Sequence, residues 1–149
     1  MSKSSVKKMQ AAYAQLRGKA RRSLAAAGAA MAGVAAVELV SETVVASLSG
    51  DAASAAAVAT LALVVVLVVV LVVLEARAWK AVVAASRREP TFSDKVILGA
   101  ALWFTGGLPL CLVNLARNAG QPSLLVELGV TVVLALLAAQ RFLPELRER

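Results

Sequence analysis

The chain has no histidine, and its one cysteine is Cys111. The first absence excludes a bis-histidine haem, histidine-ligated zinc and a histidine general base. The second excludes an internal disulfide or a thiolate cluster, and leaves Cys111, set in an apolar segment, as a small packing residue. Charge is scarce too: 17% of residues are charged, against about 25% in an ordinary soluble domain. Aliphatic residues take their place and bring the hydrophobic share to 60% of 149 residues, where about 45–50% is usual. A globule of this size buries roughly two-thirds of its surface. It cannot hide such an excess from water, so the composition asks for lipid.

Four apolar segments account for the excess. Between Asp51 and Glu75 lie 23 uncharged residues ending in LALVVVLVVVLVVL. As an α-helix they span roughly 34 Å, enough for a hydrocarbon core of ~30 Å. Valine is a mediocre helix former in water, but lipid forces every backbone group to pair within the segment. A second run fills the 21 residues between Lys95 and Arg117. Gly106, Gly107 and Pro109 sit at mid-span there, where proline removes one ladder bond, so a kink or hinge is expected. The 23 residues between Arg117 and Arg141 carry one charge, Glu127, and follow a turn marked by Gly120, Pro122 and Ser123. From Ser23 to Gly50 the chain is rich in alanine and glycine, which favour close helix approach in membranes, but it includes Glu38 and Glu42. The expected spans are residues 24–48, 53–75, 96–116 and 123–142, within a transmembrane domain of residues 23–149.

Lysine and arginine fix the expected orientation. Seven precede the first span (Lys3, Lys7, Lys8, Arg17, Lys19, Arg21 and Arg22), and five lie between spans two and three (Arg77, Lys80, Arg87, Arg88 and Lys95). Arg141, Arg147 and Arg149 follow the last span, and Arg117 alone lies on the other side. Fifteen of 16 basic residues thus share one side, as the positive-inside rule requires for an N-in/C-in, all-α antiparallel four-helix bundle. A three-span arrangement would lose that asymmetry. The same placement accounts for the net charge of +7 without a nucleic-acid partner.

Residues 1–22 form a basic N-terminal segment in which Val6, Met9, Tyr13, Leu16 and Ala20 recur at spacings of three and four. This is the pattern of an amphipathic helix lying against an anionic leaflet, or of a solvated tail. The first 37 residues contain no acid and are rich in alanine, serine and arginine, which also suits a mitochondrial targeting segment. Sparse isoleucine and lysine beside abundant alanine, valine and arginine suit a GC-rich genome, which a bacterium or a GC-rich alga or protist would satisfy; the bacterial inner membrane is the expectation, with an organellar inner membrane as the alternative. After span two, EARAWKAVVAASRR reads as continuing helix with Trp79 at interface depth. Pro90 ends it, and Thr91, Ser93 or Asp94 can cap the third span.

Acids inside a span cost at least ~2.5 kcal/mol on insertion scales, so Glu38, Glu42 and Glu127 are the chemically unusual residues. Glu38 and Glu42 are i and i+4, on one face of the first span. Depth alone can gather Glu42, Glu127, Asn114 and Arg117 near the outer third, with Glu38 below them. Arg117 would then clamp the carboxylates, or the group would line a polar cavity that holds a proton or cation. No cofactor, metal or catalytic constellation is indicated, and the chain reads as a non-enzyme. Two functions compete. One is a structural, accessory or assembly subunit that packs against other membrane helices; the other is a small homo-oligomeric transporter, channel or holin-like pore using its intramembrane glutamates.

Overall fold

The computed structural model describes residues 2–118 and 120–147, so Arg149 lies outside the described residues. It is all-helical: α1 Lys3–Ser47, α2 Asp51–Ala85, α3 Phe92–Arg117 and α4 Pro122–Arg147. All four are long and apolar enough to cross a membrane, with mean hydropathy reaching 3.4 in α2 and 1.7 in α1. At 1.5 Å per residue, α1 is roughly 67 Å long, α2 roughly 52 Å, and α3 and α4 roughly 39 Å each.

The helices pair as two antiparallel hairpins, α1 with α2 and α3 with α4. Gly50 makes the first turn with φ +64, in the left-handed region where a side chain would be strained. α1 runs unbroken from Lys3 through Ser47, so the basic segment and the first apolar span are one helix. The apolar stripe of that segment meets protein over part of its length. Ala20 is fully buried, Leu16 packs on the core, and the Arg87 guanidinium lies 5.7 Å from the centre of the Tyr13 ring. Met9, nearer the terminus, is exposed. Arg21 donates to the Leu146 carbonyl and so ties α1 to the end of α4.

The best-packed core lies where these ends converge, and it joins Ala20, Ala81, Val82, Ala85, Leu98, Ala101, Ala138, Phe142 and Leu146. Its alanines let the helix backbones approach closely, the packing mode of helices that gain little from hydrophobic exclusion. Polar contacts lock the same end. The Thr91 hydroxyl accepts from the Asp94 amide (3.2 Å) while the Asp94 carboxylate accepts from the Thr91 amide (3.1 Å), a reciprocal cap on α3. Arg141 of α4 donates to Asp94 at 3.0 Å, to Glu145 at 2.6 Å and to the Arg88 carbonyl at 3.0 Å. Glu145 in turn accepts from the Arg87 amide at 2.7 Å. The Thr91 amide, and then the Arg141 guanidinium, hold the Asp94 carboxyl below its ordinary range.

Outside that core the apolar side chains face outward. Val58, Leu61, Val65, Val66, Val69 and Val73 of α2 are all exposed, and 6% of the most apolar window of α2 is buried. The accessible surface of 9495 Å² exceeds the ~7100 Å² expected for a water-soluble monomer of this mass. Soluble monomers seldom expose apolar patches beyond a few hundred Å². A continuous valine–leucine coat of this kind matches hydrocarbon.

Candidate polar sites within the helical spans

Glu38 and Glu42 lie one turn apart on α1 and face α2 across an open groove of about 520 Å³. Ser41 and Val45 line it from α1, and Ala57, Thr60, Leu61 and Val64 from α2. Arg117, the last residue of α3, reaches into the groove and pairs with Glu42. Both partners keep part of their surface accessible, 51% for the Arg117 side chain and 33% for Glu42, so the pair is a tether more than a buried ion pair. The half-buried Glu38 carboxylate has no ion-pair partner among the described residues. Because α3 ends beside Glu42, the closed end of the α1–α2 hairpin extends past it.

The structure therefore gathers Glu38, Glu42 and Arg117 but not the other two residues expected with them. Asn114 is exposed near the end of α3. Glu127 lies against the middle of α3, where a methyl group on Gly107 would stand 3.9 Å from its Oε1. Gly107 is ten residues from Arg117, roughly 15 Å along the helix. The return of α4 along α3 explains the difference. The Cys111 thiol meets the Leu124 carbonyl at 3.7 Å, and one turn further along α4 Glu127 comes opposite Gly107.

At the expected hinge, α3 is one helix through Gly106, Gly107 and Pro109, with Pro109 buried. Here Gly106 serves close approach. Glu75 of α2 presses its carboxyl against Gly106 so closely that a Cβ there would overlap it. Glu75 is 7% exposed, and its Oε1 is buried without a hydrogen-bond partner among the described residues. In the expected N-in/C-in topology the end of the uncharged run of span two, where Glu75 stands, belongs at the inner membrane face. The pairing of α2 with α3 places it beside a mid-span glycine instead. The available signal was the length of helix after the apolar run: EARAWKAVVAA must pack along α3 before the chain can turn at Pro90. Trp79, one turn further, donates its indole N–H to the Lys95 carbonyl at 3.0 Å and covers Gly99.

Of the N-terminal basic residues, Lys3, Lys7, Lys8, Lys19, Arg21 and Arg22 are exposed, as a charged surface stripe requires. Arg17 is buried, and its Nη1 has no hydrogen-bond partner. No group of three or more histidine, cysteine, aspartate or glutamate residues could hold a metal among the described residues. Chemically, the two sites offer carboxyl groups in apolar surroundings. Such groups take up a proton, a cation, or a hydrogen-bond donor from another helix. Comparison with known proteins finds no matching family model, no matching curated protein and no matching solved structure.

Proposed function

We propose that this chain is a four-pass protein of the bacterial inner membrane with both termini on the inner face. Its role is non-catalytic, as an accessory or assembly subunit that docks against helices of a larger membrane complex. The observation that carries the proposal is the Glu38–Glu42 groove. It lies on the flank of a hairpin whose surroundings are aliphatic, and among the described residues one cation, Arg117, serves two carboxyls. An unpartnered acid at that depth costs at least ~2.5 kcal/mol. A neighbouring transmembrane helix that presents a basic or hydrogen-bonding side chain at the level of Glu38 offsets the cost and fills the groove. Alanine-rich α1 is suited to such close contact.

Purification from native membranes in mild detergent, followed by mass spectrometry of the intact assembly, tests this role. A second membrane polypeptide that stays bound to the wild type and is lost with Glu38→Ala supports it. A monodisperse lone monomer contradicts it. Assemblies containing copies of this chain alone would support a second reading, a homo-oligomeric transporter or channel. The observation favouring that reading is the buried Glu75 carboxyl beside Gly106.

A further inference from the structure

Both tryptophans of the chain, Trp79 and Trp103, line one groove between α2 and α3, and Glu75 lines it with them. The groove has a volume of about 300 Å³, and its other walls are Val72, Ala76, Gly99 and Leu102, with Lys80 at one side. The construction follows from helical spacing. Glu75 and Trp79 are i and i+4 on α2, while Gly99, Trp103 and Gly106 are i, i+4 and i+7 on α3. Glycines on α3 open the space that the Trp79 ring and the Glu75 carboxyl enter. Trp103 is 66% exposed, so one aromatic wall can move while Trp79 is pinned by its bond to Lys95.

We infer that this groove is a binding site for a lipophilic organic cation, an ammonium or phosphonium with apolar substituents. Three features select that class. Glu75 carries a buried oxygen with no hydrogen-bond partner among the described residues, so the site has an unmet requirement for positive charge or a hydrogen bond. Two indole rings line it, and the face of an indole attracts a cation through its ring quadrupole, more strongly where water is excluded. The remaining wall is aliphatic and accepts apolar substituents. Lys80 does not reverse the preference. It is exposed, and its long stem lets the ammonium turn toward the headgroups, whereas Glu75 is fixed in the interior. No ion pair occupies the Glu75 carboxyl among the described residues. The inference is independent of the assembly role proposed above, because the groove lies on the α2–α3 side and shares no residue with the Glu38–Glu42 groove.

The test uses the purified full-length chain in detergent or nanodiscs, with tetraphenylphosphonium as the cation and tetraphenylborate as an anion of matched shape. Both tryptophans sit at the site, so all of the tryptophan emission reports on it. Saturable quenching by the phosphonium at low salt is expected, with affinity for the borate at least tenfold weaker. Glu75→Gln is expected to lower phosphonium affinity at least tenfold, and Trp103→Leu severalfold, read by calorimetry. Glu38→Gln is expected to leave it unchanged. Trp103 is exposed and not a packing residue, so its variant keeps the test decisive should Glu75→Gln fail to fold. Equal affinity for the two ions, or undiminished phosphonium binding by either groove variant, overturns the assignment.

Discussion

Replacing Gly106 by alanine tests the contact on which the interior of α3 is built. Two effects oppose each other. Alanine in place of glycine within a helix stabilises by about 0.8–1 kcal/mol through backbone entropy. Against this, the new methyl group would overlap the Glu75 carboxyl, the end of a flexible side chain that must turn away into the adjoining groove, at a cost near the low end of the about 1–3 kcal/mol for overpacking. The single variant is therefore expected to lie near neutral, within roughly 1 kcal/mol either way. The double-mutant cycle is sharper than the single change. In a Glu75→Ala background the obstacle is gone, and Gly106→Ala should stabilise by up to about 1 kcal/mol. The coupling between the two sites is then about 1 kcal/mol. Gly107→Ala is the internal control: its methyl would sit 3.9 Å from Glu127, an ordinary contact, so it should be neutral or mildly stabilising in both backgrounds. Reversible unfolding in mild detergent, followed by circular dichroism, measures all of these. Additive effects of Gly106→Ala and Glu75→Ala would refute the packing of the carboxyl on that glycine.

Arg141→Ala should destabilise by about 1–2 kcal/mol, the range for charge-assisted hydrogen bonds discounted for partial exposure. It strips Asp94, Glu145 and the Arg88 carbonyl of their shared donor; denaturant unfolding of the variant checks the figure. Thr91→Ala removes one half of the α3 cap and is expected to cost about 1 kcal/mol in the same assay. Asp94 gives a pH signature. Its folded-state pKa is lowered, first by the Thr91 amide and then by Arg141. Its contribution is therefore complete above the unfolded-state value near 3.8 and is lost as pH falls through the lower folded value. Asp94→Asn should abolish that acid-side loss, and an unchanged stability–pH curve would contradict it.

Four helices of span length and the cap of α3 were legible in the sequence, because each rests on local rules; that α1 starts at Lys3 and runs without a break into the first apolar span was not. Uncharged runs of span length, Gly50 at a turn and Thr91–Asp94 at a helix start need no knowledge of neighbours. The Arg117–Glu42 contact was legible as well, since both residues stand near one end of adjacent segments. Pairwise depth was less accessible. Depth below an assumed membrane surface groups Glu127 with Arg117, whereas the return of α4 along α3 sets it opposite Gly107. Glu75 ends an apolar run in the sequence. Its surroundings are set by α3, which returns along α2 and offers Gly106 at that height. Gly106 follows the same logic: local chemistry suggests a hinge, and only the Glu75 carboxyl on the neighbouring helix reveals a need for space. The Arg141 network joins groups up to 58 residues apart in the chain, so no sequence pattern announces it.

The central claim is that four stretches of this chain cross hydrocarbon and that its termini share a face. Cysteine accessibility in intact cells tests it most directly. The single native cysteine is buried, and Cys111→Ser gives a blank background for single cysteines at Ser4, Ser49, Ser86 and Gln121. Labelling by a membrane-impermeant maleimide is expected at residues 49 and 121 before permeabilisation, and at residues 4 and 86 only afterwards. Residues 4 and 49 labelling from the same face would contradict the account.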